Sequence, residues 1–219
     1  MKSDNVNLLE ISRGCITAPA GCGKTQLIAK ALGYHNGLKP ILILTHTNAG
    51  VVALRERLDI LGVPKATYRL YTIDGWLMRI CSTFPIRCGY QPGYFDTLAG
   101  KLNYHEIRTA TGGLFSSGHV NEVLQASYDR LIVDEYQDCS VRQHDAVFQI
   151  AQSMPTCVLG DPLQAIFGFD TDGLVSWNSQ VITCFPLAGE LSTPWRWINA
   201  SSEHLGRWLL DIRQPLIDG

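Results

Sequence analysis

The eight residues from Ala18 to Thr25, APAGCGKT, constrain the fold of this chain more than any other stretch. They follow a short apolar run and precede a helix-compatible segment, which is the order strand, glycine loop, helix. Gly21 and Gly23 lack side chains, so backbone N–H groups can close around phosphate oxygens, and the positive end of the next helix points at the same anion. Lys24 can reach the outer phosphates, and the Thr25 hydroxyl can bind Mg²⁺. The stretch therefore predicts a phosphate-binding loop.

The loop departs from the usual pattern at one position, where Ala18 replaces a glycine. The alternative is an ordinary turn from a strand to a helix. The strand before the loop and the helix predicted over 26–32 favour the phosphate-binding interpretation. The residues that we expect to contact the nucleotide are Ala18, Pro19, Ala20, Gly21, Cys22, Gly23, Lys24, Thr25 and Gln26.

Composition limits the remaining function classes. The chain has 219 residues, enough for one large domain or two small ones, and its 46% apolar and 17% charged content predicts a packed protein. A net charge of −2 provides no global basic field, so nucleic-acid binding would depend on local patches and stacking. Seven scattered cysteines without a CxxC pair disfavour zinc and redox sites. The first ten residues do not resemble a signal peptide and no apolar run could span a bilayer, which predicts a cytoplasmic protein without membrane contact.

Alternating apolar runs and helical stripes predict an α/β fold with a parallel sheet flanked by helices. We expect strands over 41–44, 67–73, 130–133, 156–159 and 181–185, and helices over 49–61, 75–81, 141–153 and 199–213, with Asn48 as a cap for the second helix. The segment 82–129 is rich in proline and glycine and predicts an accessory insertion with helices near 102–109 and 119–127. The predicted organisation is a sheet domain over 1–81 and 130–198, the insertion, and a C-terminal helix, or the start of a second domain, over 199–219.

Two adjacent acids end the strand predicted over 130–133. Asp134 is a candidate Mg²⁺ ligand, and Glu135 is a candidate general base for an attacking water. An isolated Asp-Glu pair after a strand is more often a solvated loop. Together with the phosphate loop, the pair favours a nucleotide-hydrolysing site.

Six motifs now carry a resemblance to a known family. APAGCGKT, LTHTN, YTIDGW, VDEYQD, GDPLQAIFGF and PWRW occur in the order found in superfamily 1 DNA helicases of the UvrD, PcrA and Rep type. The resemblance extends from about Ile16 to Arg196. It implies the first RecA-like domain of such a helicase, a P-loop NTPase fold that uses ATP and Mg²⁺, with the family's accessory insertion over 82–129.

The same resemblance implies roles for individual residues. Gln164 matches the sensor of the γ-phosphate, Arg196 matches the arginine that neutralises transition-state charge, and Trp195 stands where an aromatic residue stacks on adenine. The catalytic set is Glu135, Lys24, Gln164 and Arg196, and the metal set is Thr25 and Asp134. Gln137 and Asp138 belong to the same motif as these acids without an assigned role.

Single-stranded DNA is the partner that the resemblance implies. Phe167 and Phe169 match residues that stack on bases, although both could instead be core residues. His46 replaces the usual phenylalanine and could stack or be an ordinary surface histidine. The remaining residues expected to line the DNA face are Thr45, Thr47, Asn48, Thr72 and Asp74.

Three departures from the family pattern leave alternatives open. No glutamine precedes Gln26, so the residue that reads adenine is missing, and Asp170 stands where the family often has arginine. The family pattern predicts a second RecA-like domain, whose motifs are not in these 219 residues, so we expect the chain to be a fragment, the partner of another subunit or a degraded relative. We therefore expect an ATP-dependent helicase domain, with a nucleotide-dependent regulatory module as the alternative. A P-loop kinase is disfavoured, because DEYQD and GDPLQ have no evident role in small-molecule phosphorylation.

Overall fold

One parallel sheet forms the centre of the protein. The structure, a computed structural model, describes residues 6–89, 103–165 and 172–213. Six strands within these ranges pair side by side in the order β3-β2-β4-β5-β1-β6, all parallel. They are β1 Arg13–Thr17, β2 Ile41–Thr45, β3 Tyr68–Thr72, β4 Leu131–Val133, β5 Thr156–Gly160 and β6 Leu187–Glu190. The predicted parallel α/β sheet of a RecA-like P-loop NTPase is confirmed.

Helices connect the strands and cover both faces of the sheet. In chain order they are α1 Lys24–Tyr34, α2 Asn48–Ile60, α3 Ile73–Thr83, α4 Tyr104–Ser116, α5 Asn121–Ser127, α6 Val141–Ile150, α7 Ile182–Cys184, α8 Trp195–Asn199 and α9 Glu203–Asp211. Short 3₁₀ turns cover Tyr136–Asp138 and Pro162–Gln164. The turns lie one or two residues after the ends of β4 and β5, at the C-terminal edge of the sheet.

The central strands separate two hydrophobic cores. In β2, Leu42 and Leu44 belong to the core beneath α3, α4 and α6, whereas Ile41 and Ile43 belong to the core beneath α1 and α2. All four side chains are fully buried. Strands that are buried on both faces are continuous apolar runs, because alternate side chains point to opposite faces.

The prediction of a strand over 181–185 is wrong. Trp177–Val181 forms a π-helical turn and Ile182–Cys184 continues it as α7. The β-branched Val-Ile-Thr run favoured a strand, but Val181 and Phe185 are four residues apart and both fully buried, which is the spacing of one helical face. The strand follows at Leu187–Glu190 and pairs with β1.

One smaller expectation also needs correction. The side chain that caps α2 is Thr47, whose Oγ1 accepts a hydrogen bond from the Gly50 N–H at 3.0 Å, while Asn48 is the first helical residue.

The two helices predicted in the segment 82–129 are present as α4 and α5. Ile107, Leu114 and Phe115 of α4 lie in the same core as Trp76 of α3, and the Trp76 and Phe115 rings stack with centroids 5.9 Å apart. The segment therefore packs into the main core, and the domain boundaries stay a prediction. No helix within the described ranges is both long and apolar enough to cross a membrane.

Candidate functional site

The phosphate loop has the backbone shape that its glycines predict. Gly21 and Gly23 have φ angles of 73° and 94°, in the left-handed region that side chains disfavour. α1 begins at Lys24, and the Leu27 N–H donates to the Gly23 carbonyl at 2.9 Å. The Ala18 N–H donates to the Gly160 carbonyl at 2.9 Å, so the loop is tied to the end of β5. The loop N–H groups and the N-terminus of α1 can together bind an anion.

The PWRW stretch lies on the loop. The Arg196 N–H donates to the Gly21 carbonyl at 3.0 Å. A Cβ added to Gly21 would be 2.5 Å from Cζ3 of Trp197, and one added to Gly23 would be 3.3 Å from Cδ1 of Trp195. Gly21 is therefore required by close approach as well as by φ, whereas at Gly23 the positive φ is the stronger requirement. Trp195 is 50% exposed beside the loop, and the Arg196 guanidinium lies over the Trp197 ring, 5.8 Å from its centroid.

The structure brings the phosphate-loop lysine and the two predicted acids together. Nζ of Lys24 lies 3.0 Å from Oε2 of Glu135, although the residues are 111 positions apart. Asp134 directly follows β4 and is buried, and burial, together with repulsion from Glu135, raises its pKa to about 6 despite the nearby Lys24. Glu135 has a φ of 52°, an unusual conformation for a residue with a side chain, of the kind that clusters at functional sites.

Gln137 acquires a role that sequence reasoning left unassigned. Its Nε2 donates to Oε2 of Glu135 at 2.8 Å and to Oδ2 of Asp138 at 3.2 Å, while its Oε1 accepts from the Asp161 N–H at 3.0 Å. Gln137 is buried, so these bonds are shielded from water. It connects the acids after β4 with the residues after β5.

Asp161 is a site residue that sequence reasoning missed. Its side chain is fully buried and accepts hydrogen bonds from the Ala20 N–H of the phosphate loop at 3.3 Å and from the amide of Gln164. The Arg213 guanidinium also donates to both of its oxygens. A signal for Asp161 was present, because it follows β5 just as Asp134 follows β4. Arg213 gave no such signal, since it lies 52 residues further along the chain.

The predicted DNA-face residues lie at the C-terminal edge of β2 and β3, which pair with each other. Thr45 is buried at the end of β2, and His46 is partly buried beside it. Asn48 is exposed at the start of α2, and Thr72 caps α3 by accepting from the Gly75 N–H at 3.0 Å. The structure brings these residues to one edge, beside the strand that carries Asp134 and Glu135. Their contact with DNA stays a prediction.

Asp74 has a different environment from the one predicted. Its two oxygens accept from Nε and Nη2 of the buried Arg108, both at 2.8 Å, and Oδ2 also accepts from Nε2 of Gln143 at 3.0 Å. Arg108 and Gln143 lie on α4 and α6, so the carboxylate joins three helices. This placement favours a structural role for Asp74 over DNA contact. Phe167 and Phe169 lie outside the described residues.

The donor set around the loop fits a magnesium nucleotide. Two left-handed glycines, a helix N-terminus and Lys24 are suited to phosphate oxygens, while Thr25 at the start of α1 and the buried Asp134 supply the oxygen ligands that Mg²⁺ prefers. The raised pKa of Asp134 is what a buried carboxylate shows when its charge is compensated only in part.

Comparison with known proteins gives the family. Residues 5–170 match the model of a family described as an AAA domain, which is found in UvrD- and Pif1-like helicases. No curated protein matches the chain. A solved structure described as two coordinating Pif1 helicases that unwind forked double-stranded DNA is similar at 15% identity with a TM-score of 0.43. That match covers 84% of this chain and 40% of the other, so the chain spans less than half of the matched protein. The match over residues 5–170 shows that the chain belongs to this AAA domain family and is a RecA-like domain of the superfamily 1 helicase type.

Proposed function

We propose that this domain binds and hydrolyses Mg-ATP and couples that cycle to single-stranded DNA as part of a helicase or translocase. The observation that carries the proposal is the contact between Lys24 and Glu135, because it joins the phosphate loop to the candidate base across 111 residues. Asp134 lies beside this pair, so an anion-binding group, a metal ligand and a base meet at one edge of the sheet.

Each side chain then has a distinct task. Lys24 leaves Glu135 to bind the phosphates, which frees the Glu135 carboxylate to accept a proton from the attacking water. Thr25 and Asp134 hold the Mg²⁺ ion, which neutralises phosphate charge when it is bound. Gln137 keeps Glu135 oriented through its 2.8 Å hydrogen bond. Trp195 would stack on the base of the nucleotide, a role supported by its half-exposed ring beside Gly23.

DNA contact is proposed for the neighbouring edge of the sheet. Asn48 begins α2 just after β2, the strand next to the one that Asp134 follows, and Thr72 ends β3, one strand further out. The net charge of −2 makes local hydrogen bonding and stacking the source of affinity, so binding should tolerate many sequences.

ATP hydrolysis by the purified chain, with and without single-stranded DNA, tests the proposal. Lys24→Ala should weaken nucleotide binding, because it removes the cation that meets the phosphates. Glu135→Gln should keep binding and reduce turnover by about 100-fold or more, because the amide cannot accept the proton. Turnover that survives at the wild-type rate in Glu135→Gln would exclude Glu135 as the base.

A nucleotide-dependent binding module without translocation is the second candidate. It is favoured by the Arg196 guanidinium, because its contact with the Trp197 ring, 5.8 Å from the centroid, engages the arginine that would otherwise neutralise transition-state charge. The two candidates differ in one measurement. A domain that binds ATP, responds to DNA and never turns ATP over is a module, whereas turnover stimulated by DNA supports the motor.

A further inference from the structure

We infer that Arg213 is a positioning residue of the nucleotide site and that it couples the C-terminal helix α9 to the phosphate loop. The inference rests on the proposed function, because it assigns a further residue to the same site. Arg213 follows α9 and has no counterpart among the motifs that define the site.

Arg213 acts through the buried carboxylate of Asp161. Its Nη1 donates to Oδ2 of Asp161 at 3.1 Å, and its Nη2 donates to Oδ1. The same Oδ2 accepts from the Ala20 N–H and from the Gln164 amide. One carboxylate therefore holds the phosphate loop, the predicted γ-phosphate sensor and the end of the C-terminal helix in fixed relation.

The ion pair between Arg213 and Asp161 is largely buried, and each residue balances the charge of the other. The Asp161 side chain is fully inaccessible, and the Arg213 side chain is only 17% exposed. A carboxylate in that environment needs a compensating cation, and removal of one partner leaves a buried charge uncompensated. The fork of arginine suits the two oxygens, because it donates two hydrogen bonds in parallel.

A second path connects α9 with the same loop. A Cβ on Gly206 of α9 would lie 2.8 Å from Cβ atoms of both Pro194 and Trp197, so α9 packs closely on the start of α8. From there the Arg196 N–H reaches the Gly21 carbonyl. Because both paths end on the phosphate loop, a change in the loop on nucleotide binding should alter α9, and a change in α9 should in turn alter nucleotide affinity.

The test compares Arg213→Gln with Arg207→Gln. Arg207 lies on the same helix, 67% exposed, and pairs with Glu203 four residues away, so its replacement controls for the loss of one arginine from α9. We expect Arg213→Gln to weaken the affinity for a fluorescent ATP analogue by about fivefold or more, within the usual range of coupling between sites. Arg213→Lys should give an intermediate affinity, because an ammonium keeps the charge but not the parallel pair of bonds.

Hydrogen exchange supplies a measurement independent of turnover. Addition of ATP should slow exchange of the α9 amides in the wild type and in Arg207→Gln, but not in Arg213→Gln. If Arg213→Gln does not fold, Arg213→Lys carries the same comparison with a smaller expected effect.

The outcomes separate the two proposals. Wild-type protein that binds no nucleotide would overturn the proposed function and this inference together. Wild-type protein that binds nucleotide, with Arg213→Gln matching Arg207→Gln within twofold and with equal α9 protection, would overturn the inference alone. A selective loss in Arg213→Gln supports both.

Discussion

Two clusters of carboxylates and arginines lie near the C-terminal edge of the sheet, and they differ in what they connect. The Asp161 cluster consists of Asp161, Arg213, Gln164, Ala20 and Gln137, and it joins the phosphate loop to the acids after β4. The Asp172 cluster consists of Asp172, Asp74, Arg108, Arg142, His105 and Gln143, and it joins α3, α4 and α6. The same pair of residue types thus serves the proposed chemistry in one place and helix packing in the other.

The distribution of charge explains the difference. In the Asp172 cluster, Oδ2 of Asp172 accepts from Arg108 at 3.2 Å and Oδ1 from Arg142 at 2.9 Å, while Arg108 also holds both oxygens of Asp74. Its members therefore neutralise one another. In the Asp161 cluster one carboxylate serves several donors, one of which is the phosphate-loop backbone. The Asp172 cluster, whose members bond mainly to one another, stabilises the packing of the helices. The Asp161 cluster also bonds to the phosphate loop, so it can transmit a conformational change in the loop to α9.

The largest effect is expected for Arg108→Ala. Removal of this buried cation leaves Asp74 and Asp172 without their shared partner, which should lower the free energy of unfolding by about 3–5 kcal/mol. Urea denaturation measures this loss, with the exposed Arg207→Ala expected within about 0.5 kcal/mol of the wild type. If Arg108→Ala stays as stable as the wild type but binds ATP poorly, the assignment of the Asp172 cluster to helix packing is contradicted.

A matched pair of glutamines sharpens the comparison. Gln137→Met and Gln143→Met each remove a buried amide that bridges a backbone N–H and a carboxylate. Gln137 bridges the Asp161 N–H and the Glu135 carboxylate. Gln143 bridges the Ser140 N–H and the Asp74 carboxylate. Both should lose about 1–3 kcal/mol of stability, because a buried N–H is left unsatisfied.

Only Gln137→Met should also lose turnover, by up to about 100-fold, since a reacting group misplaced by about 1 Å can cost that much. Steady-state hydrolysis measured on the folded variants separates the two effects. Equal turnover in the two variants would contradict the division between the clusters.

The smallest effect is a pH dependence of the Asp172 cluster. Burial by itself would raise the pKa of Asp172, but hydrogen bonds from Arg142, His105 and Arg108 outweigh it and hold the pKa below its ordinary value of 3.8. A lowered pKa in the folded state contributes stability that is present above pH 3.8 and is lost as the pH falls through the folded value. Asp172→Asn should therefore flatten the acid side of the curve of unfolding free energy against pH. An unchanged acid limb would show that Asp172 is not held in this way.

Local pattern predicted the parts of the molecule that depend on neighbouring residues. The apolar runs at 41–44 and 156–159 predicted β2 and β5, because a strand buried on both faces leaves a continuous run. The phosphate loop and the acids after β4 were predicted for a similar reason, since each motif is contiguous. The strand predicted at 181–185 failed because the β-branched run favours a strand locally, whereas burial of Val181 and Phe185 on one helical face overrides that preference.

The parts that could not be predicted depend on residues far apart in the chain. Arg213 meets Asp161, and Arg108 meets Asp74, only because the sheet order and helix packing bring them together. Nothing in the sequence around Asp74 distinguishes a carboxylate that faces a ligand from one that faces a buried guanidinium. The family's motif order predicts DNA contact for Asp74 and gives no sign that Arg108 is its partner.

The position of β1 has a consequence for how the chain reaches this structure. β1 precedes the other five strands in the chain, yet its neighbours in the sheet are β5 and β6, with Arg13 opposite Thr156 and Cys15 opposite Leu187. The strand that carries the phosphate loop therefore has no partner on either side until most of the domain has been synthesised. Pairing over such long separations slows folding, and an unpaired apolar strand is prone to aggregate in the meantime. The nucleotide site is thus assembled late, by the closing of the sheet rather than by the loop itself.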